Sequence, residues 1–514
     1  MKEWKKVLAT LLCGIMLVSA MTGCGETPDT GASSSEEEVS SQITDVESTG
    51  GEDIQDSSES IESTKEEVST VSKVETQRPA GTSSTKAPTN KVNLKGREIL
   101  IKSVIDQAFG VWVDPIDPED ETEEQKILRE WRENFEKTYN CKIKLQAVAP
   151  NDTQNQMIVK MLSGDKFADL ISGQRVDFER IRKAGNLLTD LKTVKTLNLS
   201  SAGINKGITG AYLYNNKQLG MVIGYGSVAQ NGFIVNNSIL KKLKGVEDPY
   251  KQAKEGKWTF DAFFKLVKAA TQDNGNGTWD LQDQYGVSWS DITNVAFFKA
   301  AGVDILKPNS KGKMEYVMNN AKFRTVADQL ITNLVDTNVM FINGNLTMAL
   351  RQFSAGKILL LAQPSYHAGT ILATADIDLG WLPIPTYNGG TNYTNIADGW
   401  TGALMIPAAA STADKEAVGY LLNEYAKLNE KGGKYRKAVQ EDYQNNFFAN
   451  CPECWDLFEN ALNNWTVDYY FPELGNQIPW SIMHKVTAGD ADYINNLESF
   501  NDEFVAWVDD TFNS

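Results

Sequence analysis

Several segments that we predict to be loops place an aromatic side chain beside a polar one. A Trp or Tyr ring can stack on the C–H face of a sugar while nearby Asp and Gln side chains bond its hydroxyl groups. The candidate ligand-binding residues are Trp112, Asp114, Tyr225, Gln230, Trp289, Tyr366, Asp398 and Trp400. Trp400 is the most suggestive, because it lies in Asp398-Gly399-Trp400-Thr401-Gly402 directly before a predicted strand. For each Trp the alternative is packing in the core, which is the more common role of this residue.

A second polar segment, Asp273 to Asp283, resembles an EF-hand-like loop. With Gly277 at the sixth position, the candidate metal ligands are Asn274, Asn276, Asp280 and Asp283. The match is incomplete, because Gln272 occupies the first position, where Asp is expected, and the twelfth position is Asp in place of Glu. The alternative is a polar Asn-Gly turn without metal. A calcium ion here would be structural, and we predict no other cofactor.

Signatures of catalysis are few. The two histidines, His367 and His484, are far apart in the chain, and we find no Gly-x-Ser-x-Gly, HExxH or Walker A motif. We therefore predict that the protein is not an enzyme and that any ATPase it works with is a separate chain. A pair of carboxylates for glycoside hydrolysis remains an alternative, since any two of the 67 acidic residues could converge.

The first 24 residues are typical of an export signal. Three lysines among residues 1–6 precede an apolar run from Val7 to Met21, which is shorter than the roughly 20 residues of a membrane-spanning helix. Met21-Thr22-Gly23-Cys24 resembles the lipobox of bacterial lipoproteins, with Met where Leu is preferred. The resemblance implies that residues 1–23 are removed and that Cys24 is acylated (palmitate), and two acyl chains would suffice for stable anchoring.

Residues 24–92 are predicted to be a disordered tether rich in Ser, Thr and Glu. Within them, residues 25–90 carry 15 acidic and four basic side chains, a net charge of −11 out of −17 for the whole chain. The remaining residues from 91 onward carry only −8. With this charge and no basic stripe, we predict that the protein does not bind nucleic acid.

From residue 93 onward the chain alternates between strand and helix patterns. Glu98 to Val104 and Ile143 to Ala147 fit strands, and the helix between them places Ile127, Trp131, Phe135 and Tyr139 on one face. Further strands are predicted at Leu219 to Ile223, Gly232 to Asn236, Ile358 to Ala362, Leu379 to Pro383 and Ala403 to Pro407, and Thr259 is a predicted helix N-cap. This order predicts open α/β sheets, which bind ligands at the carboxyl ends of their strands.

Short segments of this region, in this order, resemble the extracellular solute-binding proteins of ABC importers, in the branch related to maltose-binding protein. The segments are Trp131 to Tyr139, Ser163-Gly164-Asp165 with Ala168-Asp169-Leu170, Gly185 to Leu188, Val235-Asn236-Asn237, Trp258 to Phe263, Phe353 to Lys357, Leu382 to Pro385 and the small-residue segment before Lys415-Glu416-Ala417. The resemblance implies a two-lobed, type II periplasmic-binding-protein-like α/β fold, with crossing strands between the lobes and a ligand cleft. Lobe 1 would comprise 93–225 plus 380–430, and lobe 2 would comprise 226–379 plus 431–514.

From these features we expect a monomeric lipoprotein on the extracellular face of the cell membrane. It would capture a carbohydrate, in particular an oligosaccharide, and deliver it to an ABC permease. The alternatives are a secreted carbohydrate-active enzyme, a sensor that acts on a membrane histidine kinase, or a binder of a different kind of ligand, since fold does not specify ligand. Cys451 and Cys454 are predicted to form a local disulfide or to remain free thiols, in preference to a redox centre.

Overall fold

The computed structural model describes residues 92–103, 121–148, 157–224, 231–341, 346–365, 367–397, 399, 401–471 and 475–513. The predicted signal peptide and residues 24–91 of the predicted tether lie outside the described residues. The same holds for these candidate site residues: Cys24, Trp112, Asp114, Tyr225, Gln230, Tyr366, Asp398 and Trp400. Within the described ranges, no helix combines the length and the apolar character that crossing a membrane requires.

The strands belong to two larger sheets and three small ones. In chain order they are β1 (Arg97–Ser103), β2 (Cys141–Ala147), β3 (Leu170–Gln174), β4 (Leu213–Tyr214), β5 (Lys217–Gln218), β6 (Gly232–Asn236), β7 (Tyr285–Ser288), β8 (Leu306–Pro308), β9 (Met314–Tyr316), β10 (Met340–Phe341), β11 (Ile358–Leu361), β12 (Leu379–Pro383), β13 (Asn395–Ala397), β14 (Gly402–Met405) and β15 (Trp465–Val467).

The α-helices lie between these strands and continue beyond them to the C-terminal end. In chain order they are α1 (Glu123–Tyr139), α2 (Arg175–Ala184), α3 (Lys206–Thr209), α4 (Asn237–Leu240), α5 (Pro249–Lys254), α6 (Phe260–Ala270), α7 (Asp291–Ala300), α8 (Ala321–Leu330), α9 (Leu346–Ser354), α10 (His367–Thr374), α11 (Thr412–Leu428), α12 (Lys434–Asp442), α13 (Pro452–Asn463), α14 (Ile478–Thr487), α15 (Tyr493–Ser499) and α16 (Asn501–Val508). Short 3-10 and π-helical turns occupy Leu191–Thr193, Gly210–Tyr212, Ile331–Val335, Tyr443–Phe447 and Asp509–Asn513.

The first sheet has the strand order β14-β3-β1-β2, with β1 parallel to β2 and β3 and with β14 antiparallel to β3. Helix α1 packs on it through Phe135 and Tyr139, which share a core with Ile99 and Ile101 of β1. The helix begins with a capping box, in which the Thr122 hydroxyl accepts from the Gln125 amide and the Gln125 side chain accepts from the Thr122 amide. The helix that the sequence predicts here is therefore confirmed.

The second sheet has the order β10-β7-β11-β6-β12. Strand β11 runs parallel to β7 and antiparallel to β6, and all residues of β6, β11 and β12 are buried. Burial along whole strands is expected where helices cover both faces of a sheet, and it explains the continuous apolar runs in the sequence. The predicted N-cap of α6 is confirmed, because the Thr259 hydroxyl accepts from the Ala262 amide.

Strand β12 lies at an expected boundary between lobe segments. The predicted first-lobe segment 380–430 begins inside β12, which pairs with β6 through five residue pairs, from Leu379↔Asn236 to Pro383↔Gly232. The division into lobe segments stays a prediction.

A disulfide joins Cys451 to Cys454 at the start of α13. Both residues are buried, and the Cys454 Sγ accepts a hydrogen bond from the backbone amide of Trp381 on the outer edge of β12. The disulfide that the sequence allowed is thus present, and its burial is what a structural bond requires.

Candidate ligand-binding site

The carboxyl ends of the parallel strands define where a ligand would bind in such sheets. In the first sheet β1 ends at Ser103 and β3 at Gln174. In the second sheet β7 ends at Ser288 and β11 at Leu361. The antiparallel strands β14 and β6 begin at these same edges, since Gly402 pairs with Gln174 and Ile234, near the start of β6, pairs with Leu361.

Strand β13 connects the two edges. On the side of the second sheet, the Asn231 backbone amide donates to Asn395 Oδ1 at 3.0 Å, and its Nδ2 donates to the Ile396 carbonyl at 3.3 Å. On the side of the first sheet, Arg175 Nη1 donates to the Ala397 carbonyl at 3.1 Å. Three consecutive residues of β13 are therefore bonded to both ligand edges, and β15 runs parallel beside it.

Arg175 is the first residue of α2, directly after β3, and it is fully buried at 0% exposure. Its backbone amide donates to the Thr401 carbonyl at 2.9 Å, and its Nη1 also donates to the Asp468 carbonyl. Its guanidinium carbon lies 5.4 Å from the ring centre of Tyr469 and 5.1 Å from that of Phe471. The side chain thus joins the first sheet to β13 and to the segment that follows β15.

Asp468 lies beside this arginine and is also buried. Burial raises the pKa of its carboxyl group, against the opposing effect of the nearby Lys299 and Arg175 cations. The carboxylate accepts a long hydrogen bond of 3.5 Å from the Tyr470 amide. Lys299 in turn donates to Asp304 and, at 2.8 Å, to the Val467 carbonyl, so it has partners of its own.

Trp289 is the one ligand-binding candidate that falls within the described residues. It follows β7 at the predicted ligand edge, and its side chain is half-buried. Its indole nitrogen donates to Asn294 Oδ1 at 2.8 Å, and its ring centre lies 4.9 Å from that of Phe297. The ring is therefore held in place by α7, while its role in ligand binding stays a prediction.

A second group of polar residues follows β11 at the same edge. Ser365 Oγ and Tyr443 Oη lie 3.2 Å apart, which joins this turn to the segment after α12. His367 begins α10 and is buried, and burial lowers the pKa of its imidazole to about 4. At neutral pH this imidazole is uncharged.

The candidate calcium loop lies before β7, at the opposite edge of the second sheet from Trp289. Its side chains cap backbone amides: Asp283 accepts from Asn274 N at 2.8 Å and from Asp280 N at 2.6 Å, and Asn276 Oδ1 accepts from Thr278 N. Among the described residues no cluster of three or more His, Cys, Asp or Glu side chains is placed to hold a metal. These bonds are those of a polar turn, and calcium binding by Asn274, Asn276, Asp280 and Asp283 stays a prediction.

The site residues predicted from the sequence do not include Arg175, Asn231 or Asn395. For Arg175 the available signal was a charged residue a few positions after the apolar pair Leu170-Ile171. For Asn231 and Asn395 the sequence offers no comparable signal, because Asn is common in turns.

The family model of the bacterial extracellular solute-binding proteins matches residues 118–427. No curated protein matches the chain at a significant level of sequence similarity.

Among solved structures, the cyclic α-maltosyl-1,6-maltose binding protein from Arthrobacter globiformis matches with a TM-score of 0.59 and 13% identity, over 80% of this chain and 99% of that one. An ABC substrate-binding protein from Listeria monocytogenes in complex with cycloalternan matches with a TM-score of 0.54 and 18% identity, over 81% and 99%. The sugar-binding protein MalE from Xanthomonas citri matches with a TM-score of 0.56 and 12% identity, over 80% and 97%. At these identities the likeness establishes the fold, which is the expected two-lobed, type II arrangement.

Proposed function

The chain belongs to the bacterial extracellular solute-binding proteins, and from this membership we propose that it captures an oligosaccharide between its two lobes and delivers it to an ABC permease. The observation that carries the proposal is the position of β13, which is bonded to the carboxyl edges of both sheets. Ligands of open α/β sheets bind at such edges. A ligand that contacts both edges would favour the state in which they are close together.

The similar proteins support a carbohydrate as the ligand. Three of them are described as binding a cyclic maltosyl-maltose, cycloalternan and sugar, respectively. The candidate residues of this chain fit the same chemistry, because aromatic rings and polar side chains alternate in its loops. Trp289 already lies at the ligand edge of the second sheet.

The proposal includes the location of the protein. Residues 1–23 act as the export signal, Cys24 carries the lipid, and 24–92 form the tether that holds the lobes outside the membrane. The protein then acts as a monomer on the extracellular face. Replacing Cys24 by Ala tests this part, since the variant should move from the membrane fraction into the medium; retention of the variant in the membrane fraction would contradict the lipid anchor.

The binding function is tested by a thermal-shift screen of neutral and acidic oligosaccharides, followed by calorimetry on those that raise the melting temperature. A ligand that binds only the folded protein raises this temperature, by an amount that grows with the logarithm of the ratio of its concentration to its Kd. We expect stoichiometric binding and recovery of the saccharide unchanged. Turnover of the saccharide would instead establish an enzyme, and the lack of any saccharide ligand would contradict the proposal.

The predicted cleft residues are tested with a saccharide found in this way. Trp400→Ala should weaken binding by about 30-fold or more if the ring stacks on a sugar. Trp279→Ala is the control, because Trp279 is half-buried and packs on Tyr285 at the opposite edge of the second sheet. Equal affinities of the two variants and the unchanged protein would remove Trp400 from the site.

A further inference from the structure

The side chain of Arg175 has hydrogen-bond donors that the described residues around it do not use. A guanidinium group carries five N–H groups, and Nη1 directs its pair at the Ala397 and Asp468 carbonyls. Nε and Nη2 are buried and have no hydrogen-bond partner among the described residues. Burying part of a charged group without a partner is strongly unfavourable, so these donors call for an acceptor.

The two unused nitrogens form one edge of the guanidinium plane. Nε–H and one N–H of Nη2 point in the same direction and match the two oxygens of a carboxylate, with which arginine forms paired, charge-assisted bonds. The rings of Tyr469 and Phe471 lie beside the guanidinium and supply π contacts, which leave these N–H groups unsatisfied. The contacts of Nη1 fix the orientation of this edge.

Among the described residues, three nearby acidic side chains have other partners. Glu179 accepts from Arg182 Nε at 2.8 Å, and Asp304 accepts from Lys299. Asp468 binds Arg175 through its backbone carbonyl, while its carboxylate accepts from the Tyr470 amide. None of these three carboxylates makes a hydrogen bond with Nε or Nη2.

We infer that Arg175 binds a carboxylate of the ligand, so that the captured carbohydrate is an acidic one, an oligosaccharide that contains uronic acid. Arg175 follows β3 at the ligand edge of the first sheet, where such a group would arrive. A hydroxyl of a neutral sugar could accept one of the bonds, but only an anion also neutralises the buried cation. This inference rests on the proposed function and specifies its ligand.

The first test uses the unchanged protein and needs no variant. Calorimetry measures the affinities of di- to tetrasaccharides of galacturonate and of glucuronate. The same compounds are then measured as methyl esters, which keep the sugar skeleton and lose the charge. We expect one of the acids to bind about 100-fold more tightly than its ester, as for other buried charge pairs. An ester that binds as tightly as its acid overturns the inference.

The second test compares two arginines of the same helix. Arg175→Gln should lower the affinity for the acid to that for the ester. Arg182→Gln is the control, because the Arg182 side chain is only 8% exposed but is paired with Glu179 and lies over the ring of Tyr214. Its loss should reduce stability while the ratio of acid to ester affinity stays unchanged, and circular dichroism checks that both variants are folded.

The outcomes separate the inference from the proposed function. If neutral oligosaccharides such as maltodextrins bind and uronates do not, the inference is wrong and the proposed function stands. If neither class binds, the proposed function fails as well. An unchanged ratio of acid to ester affinity in a folded Arg175→Gln protein would show that the carboxylate is bound elsewhere.

Discussion

The backbone amide of Asn231 donates a 3.0 Å hydrogen bond to the side-chain oxygen of Asn395. Asn231 directly precedes β6 of the second sheet, and Asn395 is the first residue of β13. Both residues are buried, and the same Asn395 oxygen also accepts from the Ile396 amide. One side-chain oxygen thus serves two buried backbone donors at the point where β13 meets the second sheet.

Replacing Asn395 by Ala should therefore lower the free energy of unfolding by about 1–3 kcal/mol, because the Asn231 amide loses its acceptor in a buried place. Urea unfolding at neutral pH measures the change. Asn445→Ala is the control, since Asn445 is exposed and makes no side-chain hydrogen bond within the described residues; we expect it to change the free energy by less than about 0.5 kcal/mol. Equal effects of the two substitutions would show that the Asn395 bond adds no stability.

His367 should make the stability of the protein depend on pH. Burial lowers the pKa of this imidazole from 6.5 to about 4, so the folded protein keeps it neutral where the unfolded chain takes up a proton. The contribution of this buried, neutral imidazole to the free energy of unfolding is complete above pH 6.5 and is lost as the pH falls towards 4. Over this interval the loss is about 3 kcal/mol.

The measurement compares the unfolding free energy of the protein and of His367→Gln at pH 7, 6, 5 and 4. As the pH falls, the variant should lose less stability than the unchanged protein. Both proteins have the same carboxylates, so the difference between their curves reports the protonation of His367. His484→Gln is the control because His484 is exposed, and its curve should follow that of the unchanged protein. If the unfolding free energy changed with pH in the same way for all three proteins, the prediction that His367 is buried and neutral would be wrong.

Local sequence patterns predicted most elements of the two sheets, because buried strands produce continuous apolar runs. Gly232 to Asn236 and Leu379 to Pro383 are strands as predicted. Their pairing with each other was not predicted, because it joins residues more than 140 positions apart. Leu219 to Ile223 was predicted as a strand and is not one: Met221 and Ile223 form only isolated bridges, to Leu404 and Ile204.

The site was less predictable from sequence than the fold. Trp289 was a candidate because of its residue type, but the strand that precedes it, β7, was not among the predicted strands. Its hydrogen bond to Asn294 depends on how α7 begins. Arg175 would ordinarily be assigned to the surface, because arginine is rarely buried. Its burial depends on Asp468, Tyr469 and Phe471, which lie nearly 300 positions later in the chain.

The loop from Asp273 to Asp283 should be stable without calcium. The Asp283 carboxylate accepts from two backbone amides, and Asn274 Oδ1 accepts from the Asn276 amide, so the loop already satisfies its own donors. If the loop is the polar turn that its hydrogen bonds form, adding about 1 mM CaCl₂ after chelator treatment should change the melting temperature by less than about 1 °C, since an ion stabilises a protein only by binding its folded state. Asp283→Ala should lower the melting temperature equally with and without calcium. A rise with calcium that Asp283→Ala abolishes would instead establish the metal site.

Gly203 marks a close approach between two backbones. A Cβ at this position would lie 1.8 Å from the Ala426 carbonyl oxygen of α11 and 2.9 Å from the Ala426 Cα. Because these are backbone atoms, α11 would have to move away from the segment that carries Gly203. Gly203→Ala should therefore lower the free energy of unfolding by about 2 kcal/mol or more.

Gly210 provides the matched comparison for Gly203. It adopts a right-handed helical conformation, with φ −58° and ψ −26°, and a Cβ there would meet no atom within 4 Å. Gly210→Ala should leave stability unchanged or raise it by up to about 1 kcal/mol, because Ala restricts the unfolded chain. Urea unfolding of the two variants measures the difference. If both substitutions were tolerated equally, α11 would have to be free to shift by more than 1 Å, which would contradict its close packing against Gly203.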